Sequence, residues 1–154
     1  MKIQSIEGFE IIDSRGNPTV GAKVNLEDSS SGMAFVPSGA STGQYEANER
    51  RDGDKSRFLG KGVLGAIEAI EKEIAPLLRD NDVEDLLSND QQMIDADGTI
   101  NKNNFGANAI LAVSMASAKA ASLSSKLPLY KFLNDKYSQF CGTAIHPTLP
   151  IPMM

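Results

Sequence analysis

The sequence predicts an α+β fold, a three-stranded antiparallel β-meander followed by a helical bundle. Three observations carry this. Residues 19–26, TVGAKVNL, alternate cleanly, with Val20, Ala22, Val24 and Leu26 on one face and Thr19, Gly21, Lys23 and Asn25 on the other. Period two with one wet face marks an antiparallel strand. Further along, Val63, Ile67, Ile70, Ile74 and Leu77 recur at steps of 4, 3, 4 and 3, the stripe of an amphipathic helix. Finally, every strand pattern precedes every helix pattern, the order of a domain whose helices pack on one face of a small sheet.

Each element has its own signal. KIQSIEGFEII reads as the first strand, rich in Ile but less regular, with Gly8 as a candidate break. DSRGNP is the turn after it, with Gly16, Asn17 and Pro18 as breakers. EDSSSG is the next turn, and GMAFV, with Met33 and Phe35 on alternate positions, the third strand. In the first helix Pro76 falls in the last turn, where it predicts a kink or a stop. Asp82 is placed to cap a short helix holding Leu86 and Leu87, and Ser88-x-x-Gln91 has the capping-box pattern for another carrying Met93 and Ile94. Ala107 to Ser124 is a long helix of small and apolar residues, suited to the centre of the bundle because small side chains permit close approach. Pro128 is well placed as the first residue of a last helix, LYKFLN. From residue 138 onward, three prolines in SQFCGTAIHPTLPIPMM predict a linker, ending in an apolar LPIPMM that reads as the first strand of a further unit.

The bulk numbers narrow the function classes. A chain of 154 residues is enough for one domain, and near this size ~70% of the unfolded surface is buried, so a core needs neither metal nor disulfide. A net charge of −5 with no Lys/Arg stripe offers no counterion release, which argues against nucleic acid as a partner. The single Cys141 excludes an internal disulfide and a thiolate zinc cluster and fits a reducing cytoplasm. MKIQSIEGFEI lacks the apolar core of a signal peptide. The longest weakly polar stretch, 107–123, is built on Ala and Ser and carries Lys119, which favours a buried helix over a membrane span.

One segment stands out chemically. PSGASTG (37–43) buries little and contains Gly39-x-Ser41-x-Gly43, the outline of a hydrolase nucleophile elbow. That elbow needs a strand–turn–helix and a later acid and histidine. The sole histidine is His146 in the Pro-rich tail, and the polar QYEANERRDGDKS follows Gly43 where a helix is required. The segment also lacks the GK[ST] ending of a P-loop. By itself it reads either as a plain turn or as a loop whose backbone can approach a ligand. Arg50, Arg51, Asp52, Asp54, Lys55 and Arg57 form a mixed charge run, read as a solvated turn bridged by its own ion pairs in preference to an anion site. Asp95, Asp97 and Gly98 lack the spacing and final Glu of an EF-hand and read as a turn. His146 and Cys141 read as unremarkable tail residues.

Seven blocks together resemble one family. DSRGNPTV (13–20), VPSGASTG (36–43), RDGDKSRFLGKGV (51–63), DGTINK (97–102), FGANAILAVS (105–114), PLYKFL (128–133) and LPIPMM (149–154) occur in the order and spacing of enolase. The chain resembles the amino-terminal domain of a bacterial-type enolase. The resemblance implies residues 1–137 as that capping domain and 138–154 as a linker and the start of a carboxy-terminal barrel. It implies a lyase, phosphopyruvate hydratase, which reversibly dehydrates 2-phosphoglycerate to phosphoenolpyruvate in glycolysis and gluconeogenesis, with two Mg2+ ions holding the substrate and stabilising the enediolate. It implies that Gly39, Ala40, Ser41, Thr42 and Gly43 form a loop closing over the barrel's active site. Ser41 would ligate the second magnesium, Gly39 and Gly43 would act as hinges, and Ala40 would lie beside the substrate. The catalytic lysine, the catalytic glutamates and the first magnesium's carboxylates would lie in the barrel.

The expectation that follows is a cytoplasmic protein whose 154 residues carry no catalytic residue and are inactive alone. A homodimer is expected of the intact enzyme, weakened because Gly21 stands where the family has an acidic residue serving the dimer contact. Asn48 and Arg50 stand where the family commonly has apolar residues. The alternative function is a standalone, non-catalytic enolase-like binding or structural module.

Overall fold

A computed structural model describes residues 1–36, 43, 46–144 and 147–148. Three strands, β1 (Ile3–Ile12), β2 (Pro18–Leu26) and β3 (Ser31–Phe35), form an antiparallel meander in the order β1-β2-β3. Val20, Ala22, Val24 and Leu26 all face the core, as their alternation predicts. β1 is unbroken at Gly8, which pairs with Ala22; its irregularity sits instead between Ile3 and Ser5. A Cβ at Gly8 would come within 3.2 Å of Ile67 and 3.3 Å of Ile70, so the missing side chain admits the first helix and does not interrupt the strand.

That first helix is composite. α1 (Leu64–Ala69) runs into a π-helical turn (Ile70–Ile74) and then α2 (Ala75–Leu78). It does not stop at Pro76, which stands at the start of α2 directly after the widened turn. A proline deletes an i→i−4 bond and crowds the preceding turn, and the π turn before it is where that ladder is already altered. The extra residue in the π turn also rotates the face: Ile70 and Ile74 are buried as expected, but the next fully buried position is Leu78, with Leu77 only partly covered.

The two short helices expected around residues 82–94 are one, α3 (Leu86–Asp97). Asp82 does not cap it. Its Oδ1 accepts from the Met1 amino group at 2.9 Å and from the Glu84 N–H at 3.0 Å. Ser88 and Gln91 form no capping box either, because both lie inside α3 and bond along it, Gln92 Nε2 to Ser88 Oγ (3.3 Å) and Gln91 Nε2 to Asp95 Oδ1 (2.7 Å). α4 (Ala107–Ser124) lies across β2 and β3 as the central helix, and β3 reaches it so closely because Gly32 has no side chain. α5 (Leu129–Cys141) follows Pro128, which is the residue before the helix. α5 extends well past LYKFLN, so Ser138–Cys141, expected in a linker, are helical.

Asp90, on α3, is half-buried, and Ser114 on α4 donates to its Oδ2 at 3.0 Å. Burial pushes its carboxyl above the ordinary Asp range, and the Ser114 bond only partly offsets this. The folded state therefore binds this proton more readily than the unfolded state does, and the contribution to stability is lost as pH rises through the folded value. Asp90→Asn keeps an acceptor for Ser114 and removes the charge. We expect it to melt above the wild type at neutral pH, with the gap closing in acid; a gap independent of pH would contradict this. Among the described residues no helix is long and apolar enough to cross a membrane.

Candidate functional site

Gly39, Ala40, Ser41 and Thr42, and with them the metal-ligand role of Ser41, lie outside the described residues. Gly43 is described: it is exposed, and its carbonyl accepts from the Glu46 N–H at 3.1 Å. What the structure does place is the framework on either side of this segment.

The outgoing limb ends on β2. The Val36 N–H donates to the Val20 carbonyl at 2.9 Å, and the buried Thr19 hydroxyl donates to the Val36 carbonyl. The returning limb is threaded between α4 and the loop before it. The Asn48 N–H donates to Asn101 O and the Ala107 N–H to Asn48 O, each at 2.8 Å. Buried Asn108, near the start of α4, pairs with the backbone of Arg50 through both ends of its amide: Arg50 N–H to Oδ1 at 3.0 Å and Nδ2 to Arg50 O at 3.1 Å. A side-chain amide carries one donor and one acceptor side, so it can complete a strand-like pair where no strand runs.

The charge run at 50–57 is no turn bridged mainly by its own ion pairs. Arg51 Nη1 donates to Pro18 O (2.7 Å) and to Lys61 O (2.8 Å), while Nη2 meets Glu49 Oε2 at 2.8 Å. Asp52 receives the N–H groups of Leu64 (3.0 Å) and Gly65 (2.8 Å), so it satisfies the free donors at the start of α1 from outside the helix. Arg57 forks onto Glu10 of β1, with Nη1 to Oε2 at 2.9 Å and Nη2 to Oε1, and the Val63 N–H adds a bond to Glu10 Oε2 at 3.2 Å. The hydrogen bond from Arg57 is the largest influence on Glu10 and, despite partial burial, holds its carboxyl below the ordinary Glu range. Between these anchors Phe58, Leu59 and Gly60 all take left-handed backbone (φ 48°, 55° and 88°). Bulky residues adopt that region only where the surroundings over-determine it, and Leu59 is left 86% exposed at the tip.

Asp97 is the other organiser. It is 1% exposed, and its carboxylate receives the N–H groups of Phe105 (2.7 Å), Asn104 (3.1 Å) and Thr99 (3.1 Å) and the Thr99 hydroxyl. The turn expected at 95–98 is instead the end of α3, with Gly98 as its left-handed cap (φ 67°), and from there Asp97 presents the 98–106 loop to the returning limb. Asp97 and Asn108 were legible only as members of a turn and of a helix start. Their partners are backbone groups, which leave no mark in the residue pattern. Cys141 is exposed at the end of α5, and His146 lies outside the described residues.

These carboxylates are committed. Among the described residues no group of three or more His, Cys, Asp or Glu side chains could hold a metal ion. The described residues therefore do not fit a magnesium site by themselves.

The arrangement is a scaffold: a small sheet, a helical layer behind it, and a segment whose limbs are both bonded into the Pro18–Val20 end of β2 and the start of α4. A profile of the family described as "Enolase, N-terminal domain" matches residues 3–133, most of the chain. With the meander-then-helices order it accompanies, this match shows that the chain belongs to the enolase N-terminal domain family.

Proposed function

We propose that this chain is the capping domain of an enolase, a lyase that reversibly dehydrates 2-phosphoglycerate to phosphoenolpyruvate in glycolysis and gluconeogenesis. The family match over residues 3–133 carries the reading. In it, residues 39–43 are the loop that closes over the active site of a carboxy-terminal barrel, Ser41 ligates a magnesium ion, and Gly39 and Gly43 act as hinges beside Ala40 and Thr42. Magnesium takes hard oxygen ligands, and a serine offers a hydroxyl and a backbone oxygen but no charge, so the carboxylates come from the barrel. When bound, the magnesium would supply charge stabilisation for the enediolate. This chain's own part is to bring the loop to the substrate and exclude water. In it the domain runs through α5 to Cys141, the residues after it lead into the barrel, and the location is cytoplasmic.

The bonding of both limbs at one end of β2 supports the reading, because a closing loop needs fixed feet. A homodimer is part of it, with weakened support at Gly21, where the family's acidic contact residue is missing. The Phe9 ring lies over Gly21, 2.4 Å from where a Cβ there would be, and packs edge-on against Phe35 at 5.9 Å. Phenylalanine thus occupies the space that an acidic side chain would need.

The test uses the 154-residue chain alone and the chain continued into a barrel. The reading expects no turnover of 2-phosphoglycerate and only weak magnesium binding by calorimetric titration for the chain alone, and turnover for the longer form. Turnover or tight magnesium binding by the chain alone, or an inactive longer form that folds, would overturn it.

A further inference from the structure

We infer that Arg51 is a positioning residue, which ties the returning limb of the 37–45 segment to the strand end from which the outgoing limb departs. The outgoing limb is fixed at Val36 by Thr19 and Val20. The residue before those two, Pro18, gives its carbonyl to Arg51 Nη1 at 2.7 Å. Three consecutive residues of β2 therefore hold both limbs. The same nitrogen reaches Lys61 O at 2.8 Å, and the opposite edge of the guanidinium is set by Glu49. Lys61 Nζ in turn donates to Asn17 Oδ1 at 3.0 Å, which fastens that backbone to the turn before β2. A planar fork is needed for this: several donors in fixed directions satisfy two carbonyls and a carboxylate at once, and an ammonium presents only one centre. No neighbouring side chain duplicates it, since Arg50 is turned to Asn104 O (2.6 Å) and Arg57 to Glu10.

The role of the limbs in holding Ser41 rests on the enolase reading above; the anchoring itself does not. Arg51→Ala, Arg51→Lys and Arg51→Gln are compared with the wild type by amide hydrogen exchange in the 154-residue chain. We expect the Val36 N–H, bonded to Val20 O, to exchange about tenfold faster in Arg51→Ala and Arg51→Lys, the scale of one lost charge-assisted hydrogen bond. The Val24 N–H in the middle of the sheet should be unchanged, and millimolar guanidinium should partly restore Arg51→Ala. Arg51→Gln, which keeps a planar NH2 with two donor hydrogens in fixed directions, should fall between and serves if Arg51→Ala fails to fold. Unchanged Val36 exchange in all three variants would overturn the inference. In the enzyme continued into its barrel, Arg51→Ala should raise the Mg2+ concentration for half-maximal turnover by about tenfold on the same scale, with little change in the KM for 2-phosphoglycerate. Faster Val36 exchange with an unchanged Mg2+ dependence would overturn the link to Ser41. If the longer wild-type chain folds but turns nothing over, the enolase reading fails and the exchange result still decides the anchor.

Discussion

Gly32→Ala should cost this domain about 3 kcal/mol, at the upper end of overpacking penalties, and lower its melting temperature by roughly 6–12 °C for a chain of this size. A Cβ at residue 32 would lie 2.2 Å from the Ala116 carbonyl oxygen and 2.2 Å from the Ala120 nitrogen. Both are backbone atoms of α4, so no rotamer change relieves the clash; the helix must back away from β3. That retreat would open the best-packed part of the core, where Ala112, Val113, Ala116 and Ala120 are fully buried against β2 and β3. Met33→Thr, the next residue on the same strand, is the control. Met33 faces outward and is 43% exposed, and such a change should stay within about 0.5 kcal/mol. Thermal melts of both variants decide the matter. A Gly32→Ala protein that melts with the wild type would mean that α4 is not seated as described.

Asp97→Ala should be of similar size, about 3 kcal/mol, through a different mechanism. The substitution strips the acceptor from three backbone N–H groups and one hydroxyl, and a buried donor left without a partner costs about 1–3 kcal/mol. The Phe105 N–H, in a buried residue, is the one water reaches least. Asp97→Asn should be milder, since one amide oxygen remains, but its NH2 must face a donor. The effect has a defined pH course. Burial raises the Asp97 carboxyl, but the bonds from Phe105, Thr99 and Asn104 together outweigh burial and leave it below the ordinary Asp range. With the folded value below the unfolded one, the stabilisation is fully present above the unfolded value and is lost as pH falls through the folded value. Guanidinium unfolding curves of wild type and Asp97→Ala should therefore differ at neutral pH and draw together in acid. Curves that stay equally far apart in acid would assign the loss to packing instead of charge.

The two substitutions mark the limits of sequence reading. Gly32 is legible as part of a strand, but its reason for being glycine belongs to α4, which lies far along the chain. Asp97 reads as part of a turn but is the last residue of α3, and its reason for being acidic is a loop that closes over it. The same holds for the charge run. Arg51, Asp52 and Arg57 look like a solvated turn when read with their neighbours, yet their partners lie 33, 12 and 47 residues away. Ser88 and Gln91 show the opposite error: a local pattern fitted a capping box, and an uninterrupted helix used the same side chains along its own length.

The order and kind of the elements, the inward face of β2, the central α4 and membership of the enolase N-terminal domain family were all determined by the sequence itself. Periodicity and motif spacing are properties of near neighbours and survive without a fold. Only the tertiary structure decided that the first helix passes Pro76 through a π turn and that α3 is one helix. It also decided that Phe9 fills the space beside Gly21, and that Arg51, Thr19 and Asn108 hold the limbs of the 37–45 segment. The first two are local backbone choices that residue pattern leaves open; the others are hydrogen bonds and close approaches between segments distant in the chain, whose partners are mostly backbone groups, which every residue carries alike.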